Sequence, residues 1–396
     1  MQLRVSCITL RLAAVAAFGL VAVSLAEPAN AFPSFARKYN LPCARCHSMV
    51  PRMTPFGYAF YRAGFRMPAN NKRSYRFSDV ASFITQVNLQ RGTGQADIQM
   101  PEIDLAVAGP IEKNFSGLAR YIHSYQTGTS SAFDEIWGQY NSSGRAPYWS
   151  VRVGQFPILD GYQLLGNRNF TATGPMLFDS TGPLTDPSQT NFALGSLERG
   201  IQLGYVNGTL YNRFSILQGV DETGTGTAAL TGGQHWTDFV LQSEYLIGKE
   251  GSALGAFYYN GRTPFTTLGY TDPVQRAGLF GTWAKQTGVR ALGIPDYRFE
   301  LNGGFVYGHN RTTVDGQVAD SWGGVTEAAI YMRNRSSLAL RYDSVLSSSA
   351  SATPVSDAWT IALQHRPNGF AQLGLEYRRQ HQPRSESLIG TIKLTY

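Results

Sequence analysis

From about residue 77 onward, apolar and polar side chains alternate with a period of two, and the polar set is rich in ionisable residues. In 297–307, Tyr297, Phe299, Leu301, Phe305 and Tyr307 share one face, and Arg298, Glu300 and Asn302 the other. Leu338, Leu340 and Tyr342 alternate with Ala339, Arg341 and Asp343. Leu373, Leu375 and Tyr377 alternate with Gln372, Gly374 and Glu376, and Ile103, Leu105 and Val107 with Glu102, Asp104 and Ala106. Such alternation marks β-strands. A charged second face does not suit a dry sandwich core, because burying unpaired charge is costly. It suits a barrel with lipid outside and a wet lumen inside. Beyond the first 31 residues no run of eighteen apolar residues occurs, so spanning helices are not expected.

The pattern predicts a mainly β fold: an antiparallel transmembrane β-barrel of about sixteen strands, preceded by a small α-helical module. The expected strands are 77–90, 99–108, 115–126, 132–141, 148–157, 198–206, 209–219, 235–247, 252–260, 276–286, 296–308, 321–332, 337–347, 356–365, 369–380 and 387–396. Every second connection is mostly tight and carries turn-forming residues, as at Asn207-Gly208 and Gly248 to Gly251. The intervening ones are mostly longer, with 158–197, 261–275 and 309–320 the largest, and 287–295 breaks the pattern. Short turns on one side and long loops on the other are the outer-membrane arrangement. In the last strand Leu388, Gly390, Ile392, Leu394 and Tyr396 form the outward set, which puts Tyr396 at an interface girdle.

The N-terminal part reads differently. Residues 1–31 form a secretory signal: Arg4 and Arg11, an apolar run from Leu12 to Leu25, and Ala29-Asn30-Ala31 as the cleavage site. Cleavage there leaves Phe32 first and removes Cys7. Residues 77–396 are then the barrel and residues 32–76 a separate module. That module contains Cys43-Ala44-Arg45-Cys46-His47, the attachment motif for one covalent haem c. Cys43 and Cys46 form the thioethers, and His47 is the proximal iron ligand. A zinc site would need further Cys or His at matching spacing.

Phe56, Phe60 and Gly64 fall at helical spacing, with Tyr61 and Phe65 beside them. Phe56 and Phe60 are expected to cover a haem face, to pack on the barrel wall, or both. Met67 follows this helix and is the chosen sixth ligand on ligand type. Met53, a lumen histidine (His123, His235, His309, His365 or His381) and an open site stand as alternatives. The module carries Arg37, Lys38, Arg45, Arg52, Arg62, Arg66, Lys72, Arg73 and Arg76 and no Asp or Glu, whereas the rest has a slight acidic excess. A basic tail could attach to phosphate or a membrane surface. Charge complementarity favours a basic plug facing Glu102, Asp104, Glu300, Asp343 and Glu376 in the lumen. No nucleotide loop, hydrolase triad or HExxH motif occurs, and nothing points to nucleic acid.

The segment Phe35-Ala-Arg-Lys-Tyr-Asn-Leu-Pro-Cys43-Ala-Arg-Cys46-His47, then Pro51-Arg-Met-Thr-Pro55-Phe56-Gly57, then Phe60 and Gly64-Phe65, resembles the single-haem cytochrome–porin fusions of bacterial outer membranes. Their best-known members are proposed ferrous-iron oxidases. The likeness covers roughly residues 32–68, with Phe65 where the family pattern has Tyr; the remainder matches in architecture only. The resemblance implies haem attachment at Cys43 and Cys46 and ligation by His47. It also implies an outer-membrane electron-transfer protein in a Gram-negative bacterium. Such a protein would pass electrons from extracellular Fe(II) or another reductant to a periplasmic c-type cytochrome or other carrier. A redox-gated or haem-plugged solute porin is the alternative. The apolar band of such a barrel is about 25 Å tall, far more than one haem spans. A useful haem is therefore expected inside the lumen, touching the wall.

Overall fold

The computed structural model describes residues 33–67, 76–91, 96–124, 130–160, 170–177, 194–195, 197–219, 238–265, 270–287, 297–311, 318–332, 335–347, 355–368, 370–381 and 384–395. The signal segment, Lys72, Arg73, His235 and Tyr396 lie outside the described residues. Three short helices come first, α1 (Pro33–Tyr39), α2 (Cys43–Cys46) and α3 (Pro55–Arg62), with a small ladder of β1 (His47–Met49) and β2 (Arg52–Met53) between α2 and α3. Sixteen strands follow: β3 (Ala81–Arg91), β4 (Ala96–Pro110), β5 (Phe115–Ser124), β6 (Ser130–Asn141), β7 (Tyr148–Pro157), β8 (Leu197–Asn207), β9 (Leu210–Leu217), β10 (Asp238–Ile247), β11 (Ser252–Phe265), β12 (Tyr270–Thr287), β13 (Tyr297–Arg311), β14 (Val318–Met332), β15 (Ser336–Ser347), β16 (Val355–His365), β17 (Ala371–Gln380) and β18 (Ser385–Thr395).

Each strand pairs antiparallel with its chain neighbour, and β18 pairs with β3 from Leu388↔Arg91 to Thr395↔Ile84, which closes the ring. Closure leaves no unpaired edge, the condition for strands to cross lipid. The alternation assigns the faces as expected. Leu301 is 41 % exposed and Asn302 is 0 %; Leu340 is 44 % exposed and Arg341 is 0 %. The apolar set therefore faces outward and the polar set inward.

Outward aromatics gather at the two strand ends. Trp149, Tyr205, Tyr245 and Trp283 lie near the mouth where β3 begins and β18 ends. Tyr307, Trp322, Trp359 and Tyr377 lie near the other mouth. Trp149 pairs across from Tyr205, and Trp322 from Tyr307. Two belts of Trp and Tyr are the interface girdles of a membrane barrel.

Three connections depart from expectation. The predicted loops at 261–275 and 309–320 shorten because β11 and β12 pair out to Phe265↔Tyr270, and β13 and β14 out to Arg311↔Val318. Backbone pairing continues there past the part of the strands with clear alternation. The connection after β7 does something the sequence does not signal: residues 170–177 fold into the lumen. Phe170 is buried against Tyr331, with ring centroids 6.0 Å apart. Arg341 Nε donates to Asp343 Oδ2 at 2.8 Å, and its terminal nitrogens donate to the carbonyl oxygens of Thr173 at 2.8 Å and Gly174 at 2.9 Å and to the Thr171 hydroxyl. Glu376 accepts from the Thr173 hydroxyl at 2.5 Å and from the backbone N–H groups of Ala172 and Thr173 at 2.5 and 3.2 Å.

Arg341→Ala strips the buried Asp343 of its cation and unties 171–174 from the wall. Breaking a buried pair on one side costs about 3–5 kcal/mol. A clearly lowered urea midpoint for the barrel in lipid vesicles is expected, with partial recovery in Arg341→Lys; an unchanged midpoint refutes the clamp.

Candidate functional site

The motif Cys43 to His47 forms a single helical turn held against α3 by Thr54. The Thr54 hydroxyl donates to the Arg45 carbonyl at 2.7 Å and accepts from the Gly57 N–H at 3.1 Å, while the Thr54 N–H donates to the Cys46 carbonyl at 2.9 Å. Thr54 is thus the N-cap of α3, with Pro55 at the first helical position. Gly57 passes so close to α2 that a Cβ there would collide with the Cys46 carbonyl oxygen. The Pro-Phe-Gly sequence after the motif is therefore explained by capping and close approach. The helix ends at Arg62, so Gly64, expected on the helical face, lies beyond it at φ +67°, followed by Phe65 at φ +61°.

Cys43 and Cys46 are not joined by a disulfide. Burial pushes the Cys46 thiol up to about 11, helped by Cys43 and opposed by Arg45. A redox-active CxxC pair needs the opposite shift. The described residues contain no group of three or more Cys, His, Asp or Glu able to hold a metal ion by themselves. His47 Nδ1 lies 3.2 Å from the Arg52 carbonyl oxygen. A carbonyl can only accept, so Nδ1 carries a proton and donates. Imidazoles that ligate metals are commonly oriented by a bond of this kind.

Cys43, Cys46 and His47 open onto one cavity of about 230 Å³. Its near wall is apolar, including Phe35, Leu41, Val50, Met53, Phe60 and Phe65. Its far wall consists of inward barrel residues, among them Leu118, Asp104, Arg120 and Lys393. Two thiols, an imidazole and an apolar wall fit a covalent haem c. Phe60 lines this cavity; Phe56 does not, but stacks on Phe60 at 6.4 Å and lies under Arg45 at 4.5 Å. Met67 packs on the aromatic cluster outside the cavity lining. His123, His309, His365 and His381 also lie outside the lining; His309 and His381 pair with Asp320 and Asp357. The Tyr39 hydroxyl, pushed up to about 12 by burial against the opposing pull of Arg66, donates to the Phe65 carbonyl.

The N-terminal segment reaches inward side chains on widely separated strands. Arg52 donates to Glu327 of β14 at 2.5 Å, with both side chains 1 % exposed. Arg62 pairs with Glu244 of β10 and lies between the rings of Tyr58 and Tyr211, 3.8 Å from each centroid. Gln139 of β6 donates to the Arg62 carbonyl at 2.8 Å. Phe35 stacks on Phe65, which stacks on Trp137 of β6 at 5.8 Å. Ser34 meets Ser82 of β3, and Arg66 donates to the carbonyls of Glu112 and Lys113 in the β4–β5 turn. Tyr58 donates to the Asp160 carbonyl at 2.5 Å, where the segment meets the long connection after β7.

The acids that hold the segment are not those expected. Asp104 pairs with Arg120, Glu300 with Arg298 and Asp343 with Arg341, while Glu376 holds the inward connection. Glu244 and Glu327 take the arginines instead. Period two marks both as inward, but no sequence signal says which inward acid faces which arginine.

No protein-family model and no curated protein matches the chain. Solved structures do resemble it. A loop-deletion mutant of the outer membrane protein OmpT of Vibrio cholerae aligns at TM-score 0.55 and 8 % identity, covering 80 % of this chain and 98 % of that one. The anion-selective porin of Comamonas acidovorans aligns at TM-score 0.55 and 11 % identity, over 80 % and 98 %. The outer membrane channel DcaP of Acinetobacter baumannii aligns at 0.52 and 12 %, over 80 % and 96 %. The chain has the fold of a sixteen-stranded outer-membrane porin barrel.

Glu244→Gln leaves Arg62 buried without its carboxylate. A loss of about 3–5 kcal/mol is expected, read as a lower denaturation midpoint and faster proteolysis within 33–67; protection equal to the parent protein refutes the anchor. Gly57→Ala drives α3 off the motif, and a lower denaturation midpoint with faster proteolysis within 43–62 than in the parent protein is expected.

Proposed function

We propose that this outer-membrane barrel carries one covalent haem c in its module 32–76, held in the lumen. In this reading it passes single electrons between an extracellular reductant and a periplasmic carrier such as a c-type cytochrome. The observation that carries this reading is the convergence of Cys43, Cys46 and His47 on one apolar cavity whose far wall is the barrel itself. Cys43 and Cys46 would supply the thioether sulfurs and His47 a nitrogen to hold the iron. The bound haem supplies reversible Fe(III)/Fe(II) one-electron chemistry.

The rest is done by the chain. The Arg52 carbonyl fixes the His47 ring plane. Phe35, Phe60 and Phe65 keep water from one side of the cavity. The pairs Arg52–Glu327 and Arg62–Glu244 tie the module to two separate parts of the ring, so its position does not depend on a tether. The mouth that Arg66 touches is the short-turn mouth, which faces the periplasm in barrels of this type. A periplasmic carrier therefore docks on the side nearest the motif. Fe(II) as donor rests on the family resemblance.

A solute porin, plugged or gated by the same module, is the second reading, favoured by the likeness to an anion-selective porin and to the channel DcaP. Two measurements separate the readings. The electron-transfer reading expects c-type haem absorption that Fe(II) reduces, and planar-bilayer conductance that stays low until residues 32–76 are deleted. Substantial conductance of the intact protein, with haem unchanged by Fe(II) at acidic and neutral pH, supports the porin instead.

A further inference from the structure

We infer that Lys393 of β18 supplies the sixth ligand of the haem iron, an inference that rests on the haem-holding reading above. Lys393 lines the same cavity as Cys43, Cys46 and His47, but from the barrel wall. It belongs to the inward set of β18 with Ile389 and Thr395. Among the described residues its ammonium has no hydrogen bond or ion pair. The charges around it oppose one another: Glu102 and Asp104 attract, Arg120 and Arg366 repel. Asp104 is already engaged by Arg120 at 2.8 Å. Lys393 is half-buried between this cavity and a second one bordered by Glu102 and Glu376, and an ammonium held there without a hydrogen bond is costly. Loss of its proton to solvent and donation of the Nζ lone pair to iron removes that cost, with no change in oxidation state.

Met53 and the two tyrosines on the cavity are placed otherwise. Met53 pairs directly across from His47 in the β1–β2 ladder. Directly opposed residues in an antiparallel ladder project to the same face, so Met53 stands beside the proximal ligand. The Tyr39 hydroxyl donates to the Phe65 carbonyl and the Tyr61 hydroxyl accepts from Arg152. Met67 and the described histidines lie outside the lining. A ligand from the barrel would couple the iron to the wall, so that module and barrel jointly complete the site.

The test uses the full-length protein purified with its haem, read by electron paramagnetic resonance and near-infrared magnetic circular dichroism. The parent protein is expected to be low-spin with histidine–amine ligation and to lack a methionine-to-iron band. Lys393→Arg keeps the charge but cannot ligate, and should lose the low-spin signature; Lys393→Met should install the methionine band. A methionine band in the parent, or an Arg variant with the parent's spectrum, overturns the inference and leaves the haem reading intact. Absence of covalent haem from the parent chain overturns both. Should the Arg variant not fold, the parent and the Met variant decide alone.

Discussion

Every backbone polar group in the hydrocarbon layer must be hydrogen-bonded within the protein. The pairing of β18 with β3 meets that demand, and the rest of the structure follows from it. A closed ring fixes the lumen's width and makes its wall a permanent surface of inward side chains. Whatever enters the lumen must then pair with that wall, because an unpaired buried charge is far more expensive than an unpaired charge in water. Arg52 and Arg62 obey this by meeting Glu327 and Glu244, and the inward connection obeys it by meeting Arg341 and Glu376.

Two insertions thus share one enclosure. The N-terminal segment comes from the short-turn mouth and the connection after β7 from the opposite one. They meet where Tyr58 donates to the Asp160 carbonyl. Pro51 of the segment also borders a second cavity together with Phe170, Thr171 and Glu376.

The mode of attachment also has consequences. The segment has no acidic residue of its own, so buried Arg52 and Arg62 take their counter-charges from the barrel, and buried Arg66 is met by backbone carbonyls of the β4–β5 turn. Its aromatic stack likewise ends on Trp137 of the wall. The segment is therefore not a free-standing unit resting in a pore. Its core and its charge balance are completed by the strands around it.

The sequence by itself determined the barrel, its faces and the motif. Period-two alternation is a local consequence of the pleat, so Leu301 outside and Asn302 inside could be read without coordinates. The Cys43 to His47 spacing is equally local. Tertiary structure alone decided the partners. Glu244 and Glu327 carry the same inward signal as Glu300 or Asp343, and only ring closure and the depth of the segment select them. Met67 follows the helix in sequence, yet the turn at Gly64 and Phe65 carries it away from the cavity, while Lys393, more than three hundred residues from the motif, is brought to it. The inward fold of 170–177 belongs to the same class: contacts between residues far apart in the chain follow from a closed ring, not from any local pattern.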